Sequence, residues 1–291
     1  MMTRLLFKHS RLPSAIMAAW VLALMTLLSA CGGGTSTTGV APTDPTPPVT
    51  PPAPVLIAPG AYVASLNEKD WVAMLLPTTQ GTSIVTNFYG LYYNAADPDL
   101  YSGSGLFTNI NSANFTRLSV YPNISAALRT GSGSLTNLGT GVVRALLSFP
   151  ATSSDQAKDI TVTASAPANY TFNAPANLGN VKGAWQGRWS YGFGAVDNFS
   201  LTISALGDVT STQTFQQDCF LTKGALAPSA DGTNLFTFTL TVPNATQCSL
   251  KSQILTGAAF VTASPVAGKT QRLYIAGITT DGRGISYRAD R

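Results

Sequence analysis

Catalytic chemistry needs side chains that titrate, ligate or attack, and this chain carries few. His9 is the only histidine, and it lies in an N-terminal leader. A chain trimmed after that leader has no imidazole, which excludes every mechanism that uses one as acid, base or metal ligand. Serine and threonine are plentiful, but there is no Gly-x-Ser-x-Gly elbow and no histidine to activate a hydroxyl. Gly131-Ser132-Gly133-Ser134 lacks the lysine and following helix of a phosphate-binding loop and reads as a flexible turn. Glu68 and Asp70 flank Lys69 beside Trp71, the raw material of glycoside hydrolysis. They sit in Asn67-Glu68-Lys69-Asp70, however, which reads as a hairpin turn with no cleft to raise an acid's pKa. Asp97-Pro98-Asp99, followed by Ser102-Gly103-Ser104-Gly105, offers oxygen ligands in a spacing that matches no calcium loop, and reads as an exposed turn. The expectation is a non-enzymatic chain without metal or cofactor; a carboxylate-dependent glycoside hydrolase is the remote alternative.

Two other residue sets carry chemistry. Phe88, Tyr89, Tyr92, Tyr93 and Tyr101 form the densest aromatic region, and tyrosines are favoured at interfaces because they bury a large ring with one polar end. Tyr89, Tyr92, Tyr93 and Tyr101 are therefore the candidate binding residues, although a strand of aromatics also serves as core or as a cross-strand ladder. The second set is the three cysteines, Cys31, Cys219 and Cys248.

Residues 1–30 read as a secretory leader: Arg4, Lys8 and Arg11, an uncharged apolar stretch from Ala15 to Leu28, then Ser29 and Ala30. The apolar stretch falls short of the roughly 20 residues that span a bilayer. Leu28-Ser29-Ala30-Cys31 resembles the lipobox of bacterial lipoproteins. That resemblance implies cleavage before Cys31, a diacylglyceryl thioether on its sulfur and an acyl chain, palmitate-like, on its new N-terminus. Two chains already suffice for stable anchoring. Gly32 is not the aspartate that retains such proteins at the inner membrane in enteric bacteria, so the resemblance implies the outer membrane, with its face left open. In such an oxidising compartment the two remaining thiols, Cys219 and Cys248, are expected to pair as a disulfide.

Removing Arg4, Lys8 and Arg11 from the 17 bases leaves 14 against 13 acids. This residual charge gives no basic field for nucleic acid. Residues 31–58 are Gly, Ser, Thr and then Pro, from Pro42 to Pro54, with almost nothing to bury, and are expected to remain a disordered, extended tether. Beyond Pro59 the composition suits strands, with abundant Thr, Val, Tyr and Phe and a single glutamate.

Two β-rich domains are expected, at 59–178 and 179–291. Alternation is clearest in the second, where Phe199, Leu201 and Ile203, and again Phe236, Phe238, Leu240 and Val242, interleave with Ser and Thr. Gly207-Asp208, Asp231-Gly232, Ala267-Gly268 and Asp281-Gly282 punctuate it. Eight strands are expected there: Trp185 to Ser190, Phe199 to Ala205, Val209 to Phe215, Cys219 to Leu226, Leu235 to Val242, Cys248 to Leu255, Gln271 to Ile278 and Gly284 to Arg288. Short turns between neighbours imply an antiparallel meander that closes into a barrel. In the first domain six strands are expected, near Trp71 to Leu76, Ser83 to Tyr93, Leu106 to Phe107, Arg117 to Tyr121, Val142 to Phe149 and Ile160 to Thr163, with a short helix possible at Ser153 to Lys158. Gly60-Ala61-Tyr62 and Gly183-Ala184-Trp185 open the two domains alike. One tension stands: if Cys219 and Cys248 open strands separated by a third, their backbones lie about 10 Å apart, beyond the reach of about 7 Å for a disulfide.

Gly183-Ala184-Trp185, with Gly187 and the Gly207 turn, resembles the opening of calycin barrels such as lipocalins and avidins. That resemblance implies an indole at the closed end beneath an arginine from a late strand, Arg283 or Arg288. No ligand residue of those families can be matched. The layout of lipobox, tether and tandem β units also resembles Gram-negative surface lipoproteins of the factor H binding and transferrin-binding families. The expectation is a lipid-anchored outer-membrane binding or adhesion module for a protein, a glycan or a small apolar ligand, with a structural or assembly lipoprotein as the alternative. A small-ligand carrier requires the inward Phe199, Leu201, Phe236, Phe238 and Leu273 to line a cavity.

Overall fold

A computed structural model describes the chain from residue 57 to 291, apart from 67–68, 81–82, 95–96, 106–111, 122–128, 154–155, 192–193, 217–218, 221–222, 243, 245–249, 251 and 280–282. The leader, Cys31 and the tether lie outside the described residues, as does the strand expected at Leu106 to Phe107. The fold is all-β and tandem, as the alternation predicts. The first domain holds β1 (Gly60–Leu66), β2 (Lys69–Gln80), β3 (Ser83–Asn94), β4 (Asp97–Gly105), β5 (Ser112–Tyr121), β6 (Arg129–Gly139), β7 (Val142–Phe149) and β8 (Lys158–Ser165). They hydrogen-bond in chain order and close into a barrel.

The second domain holds β9 (Gly183–Tyr191), β10 (Gly194–Ile203), β11 (Asp208–Thr210), β12 (Thr214–Gln216), β13 (Cys219–Phe220), β14 (Lys223–Pro228), β15 (Phe236–Thr241), β16 (Ile254–Ala263), β17 (Gln271–Thr279) and β18 (Gly284–Asp290). Eight of these close a second barrel, and β12 with β13 forms a separate two-stranded ribbon between β11 and β14. The turns fall where glycine frees the backbone: Gly207, Gly232 and Gly268 have φ of +90°, +76° and +76°.

Several expectations need correction. The first barrel has eight strands: besides five of the six expected, it holds β1, which opens the domain, and β4 and β6, whose Gly- and Ser-rich segments look like turns but are paired. Gly131 to Ser134 lies within β6, aligned with Leu146 to Ser148 of β7. The segments Asp97 to Asp99 and Ser102 to Gly105 both belong to β4, against β3. No helix forms among the described residues of Ser153 to Lys158, and Lys158 opens β8. The strand expected from Cys248 starts instead at Ile254 and runs to Ala263. Leu66 pairs with Lys69, and Asp70, expected in a turn, stands in β2 itself, paired with Ser65.

Each barrel buries its inward faces. In the first, Tyr62, Trp71, Leu75, Phe88, Leu147 and Phe149 pack together. In the second, Trp185, Trp189, Phe199, Leu201, Phe238 and Tyr287 do so. The two barrels are finished in the same way. Phe172, after β8, covers Gly60 and lies 5.3 Å from the Tyr62 ring. Arg291, after β18, covers Gly183, and its guanidinium carbon sits 4.1 Å over the Trp185 ring. The arginine above the indole is thus Arg291 and not Arg283 or Arg288. A third apolar cluster joins the barrels: outward Val72, Met74, Leu91 and Tyr93 pack with Leu235, Ala258, Phe260 and Tyr274, so that β2 lies on β16, β3 on β17 and β4 on β18.

Candidate binding crevice

The tyrosines of β3 do not make one surface patch. Successive strand residues point to opposite faces, and the register sends Tyr89 and Tyr93 outward, where the second barrel buries them at 5% and 3% exposure. Tyr92, on the other face, packs half-buried against the first core. Tyr101 is aligned with Gly90 in β4; its side chain is outside the described set. Tyr89 and Tyr93 thus lie in the interface between the barrels, whereas Tyr92 packs on the first core.

At that interface Asp70 is the carboxylate the first barrel contributes. Its Oδ2 accepts from Arg272 Nη1 at 2.8 Å and lies 3.4 Å from Arg288 Nη1. Arg272 also donates bidentately to Asp290, at 2.7 and 3.0 Å, and Ser264 Oγ donates to the same carboxylate at 2.6 Å. Arg288 sits 4.2 Å over the Tyr93 ring, a cation–π contact. Burial pushes the Asp290 carboxyl upward, but the hydrogen bonds from Arg272 and Ser264 and the charges of Arg272 and Arg288 outweigh it and hold the group below its ordinary value. Burial raises the Tyr93 hydroxyl well above the usual phenol range. Asp70 is held by two arginines at this interface; Glu68 is outside the described residues. Among those residues no cluster of three or more His, Cys, Asp or Glu could hold a metal ion.

The interior of the second barrel is occupied. Phe199, Leu201, Phe236, Phe238 and Leu273 are all buried within one cluster. The rings of Trp189, Phe199 and Tyr287 stand 5.5 to 6.4 Å apart, and the one hydroxyl proton of Tyr287 is shared between the carbonyls of Phe199 and Trp185, whose oxygens lie 2.9 and 3.1 Å from Oη. Small barrels are normally filled this way. The apolar-ligand carrier loses the lining it required.

A concave site does exist where the inter-barrel linker crosses the second barrel: a crevice of about 340 Å³ whose polar wall is Asn169, Tyr170, Asn177, Asn180, Asn234 and Gln271. Local structure fixes these residues. Tyr170 N donates to Pro167 O at 3.0 Å, closing a turn in which Asn169 takes φ of +60°; asparagine tolerates that conformation better than most residues. Tyr170 Oη accepts from Ala61 N of the first barrel and donates to Asn234 O of the second, at 3.0 and 2.9 Å. Asn177 caps a 3-10 turn (Leu178–Asn180), its Oδ1 accepting from Gly179 N at 2.7 Å. Gln271 Oε1 accepts from Arg291 Nε at 2.9 Å, and Arg291 also donates to the Asn180 carbonyl at 2.8 Å.

The amide chemistry that remains is specific. Asn177 and Gln271 have committed their oxygens to the protein, which leaves each NH₂ group as a spare donor. The side-chain amides of Asn169, Asn180 and Asn234 make no hydrogen bond among the described residues. No acidic or basic side chain is among the described lining residues. A wider groove on the outer face of β6, β7 and β8, lined by Ser132, Ser134, Leu146, Ser148, Asp159 and Thr161, is built on one open sheet face without comparable fixation. In the sequence, Asn169 stands out only as the start of an Asn-x-Thr triplet, and Asn177, Asn180 and Asn234 carry no motif; their convergence depends on which loops meet at one barrel end.

The expected disulfide is not seen among the described residues. Cys219 lies on β13, off the barrel ladder, and Cys248 is outside the described residues. The chain matches no known family model, and no curated protein matches it.

Proposed function

We propose that the chain is a lipid-anchored protein of the bacterial outer membrane that acts as a non-enzymatic binding module, tethered at Cys31 by its Gly/Thr/Pro segment and presenting the paired barrels to a partner. The lipobox Leu28 to Cys31 and the unburiable tether support the anchor. The observation that carries binding is the crevice itself: a concave wall on which five side-chain amides converge, two of them, Asn177 and Gln271, oriented by hydrogen bonds through their oxygens.

Cys219 and Cys248 fit the same oxidising setting. Lys223 pairs with Thr241, and Thr241 with Ile254. Cys219 precedes Lys223 by four positions, and Cys248 falls in the connection between Thr241 and Ile254. Cys219 stands on β13, off the barrel ladder, so the spacing between ladder strands does not apply to it.

Two experiments test the reading. Cells fed an alkyne-bearing palmitate should label the chain, and Cys31→Ser should abolish the label; an unlabelled wild-type chain, or a purified chain whose mass retains residues 1–30, would overturn the anchor. A photoreactive amino acid in place of Asn180 should give a discrete adduct in living cells. An adduct pattern no different from the same group at Thr130, on the exposed face of β6, would overturn binding at this site. An adduct to another envelope assembly component would favour the structural alternative.

A further inference from the structure

We infer that the ligand of this crevice is a neutral oligosaccharide, engaged through side-chain amides. The inference rests on the binding-module reading and narrows it to one chemistry. Five amide side chains line the site with Thr262, Thr270 and Tyr170, and no charged group joins them among the described residues. Each sugar hydroxyl both donates and accepts, so it matches a wall that offers both. Asn177 and Gln271 supply NH₂ donors whose orientation is fixed by their own carbonyl bonds, while Asn169, Asn180 and Asn234 bring both an acceptor and a donor. Donors fixed before the ligand arrives reduce the ordering cost of binding.

The competing chemistries fit less well. An anionic ligand needs a cation in the wall, and the nearest guanidinium, that of Arg291, is committed to Gln271, Asn180 and Lys182 and to the face of Trp185. An extended peptide that adds a strand needs an open sheet edge, and the strand residues of the crevice belong to a closed barrel. An apolar ligand would meet five amides and two threonine hydroxyls among the lining residues. The volume of about 340 Å³ is at the small end of ligand sites, roughly 300 to 1,000 Å³, which suits a short saccharide or the terminus of a longer glycan.

The test uses the full-length chain, solubilised in detergent, against an array of neutral di- and trisaccharides, with a sulfated disaccharide and tri-alanine as competing probes. At least one neutral saccharide should bind. Combining Asn169→Gly, Asn180→Ala and Asn234→Ala should weaken it ten-fold or more while the melting temperature holds. Glycine accepts the φ of Asn169, and the main-chain carbonyls of Asn180 and Asn234 keep their bonds, so the triple variant removes amides and little else. A blank array, tighter binding of the sulfated or peptide probe, or an unchanged Kd in the triple variant would each overturn the inference. If position 180 then crosslinks to a protein, the glycan assignment falls and the binding-module reading stands. If neither array nor crosslink responds, both fall.

Discussion

At the scale of the residue, the buried polar atoms set the chemistry of the molecule. Arg272 has a side chain only 7% exposed and faces both Asp70 and Asp290. Removing one partner of such a network strands the others, so Arg272→Ala should destabilise the chain by about 3–5 kcal/mol, read from urea midpoints. Asp290 carries a pH signature. Its folded pKa is depressed, so its contribution is present above the unfolded value and is lost as pH falls through the folded one. Asp290→Asn should therefore flatten the acid limb of stability below about pH 4; an acid limb identical to wild type would refute the network's role. Tyr287 works in the opposite direction. Burial raises its pKa despite a backbone hydrogen bond, so its contribution is full below the unfolded value near 10 and is lost as pH rises toward the folded one. Absorbance at 295 nm should then show it ionising only with alkaline unfolding, and Tyr287→Phe should cost about 1–2 kcal/mol for the lost hydroxyl donation and the carbonyls left without it. Little of this was legible beforehand. Asp70 looks like a turn residue beside Glu68, and only the second barrel, some 200 positions later in the chain, gives it arginines.

At the scale of the element, what could be read in advance was governed by the period of two. Phe236, Phe238 and Leu240 lie on the inward face of β15 with Thr237, Thr239 and Thr241 on the other, as alternation demands. The strands β4 and β6 escaped because Gly and Ser carry no hydrophobic signal, and their pairing comes from closure of the sheet. In β16, glycine has a steric reason at Gly257. A Cβ there would sit 1.9 Å from the Ala276 carbonyl oxygen and 2.5 Å from the Gly277 Cα, so β16 and β17 approach too closely for alanine. Gly257→Ala should destabilise by about 3 kcal/mol or more, whereas Gly232→Ala, in open space at φ of +76°, should cost only about 1–2 kcal/mol for the left-handed backbone. Thermal melts of the pair, compared side by side, check the difference. The ribbon of β12 and β13 gives the cysteines a further test. A non-reducing peptide map should link Cys219 to Cys248, and reduction should lower stability by about 3–4 kcal/mol for a loop of roughly 30 residues.

At the scale of the whole molecule, the barrels share a buried face, which no local pattern in the sequence announces. Outward-facing Val72, Met74 and Leu91 break the inside-apolar, outside-polar rule for a one-barrel reading, and that excess was the available signal. Phe260 is 1% exposed and stacks on Tyr274 at 5.2 Å. Phe260→Ala should cost about 3–5 kcal/mol, and calorimetry should resolve the single wild-type transition into two as the barrels uncouple.

Mechanical load is a different matter from heat. The body meets its tether at Ile57, which is buried against the first core, and Tyr62 Oη donates to the Ala58 carbonyl at 2.6 Å. The next strand, β1, is zipped to β2 from Gly60 to Leu66, but among the described residues it is registered to β8 only at Val63 with Ser165. The second barrel's closing seam runs from Ile285 with Tyr191 to Asp290 with Gln186. On the proposal that Cys31 carries lipid, a pull on that anchor reaches the folded body at β1, the strand that closes the first cylinder. Under force the first should unravel from β1 while the second stays whole.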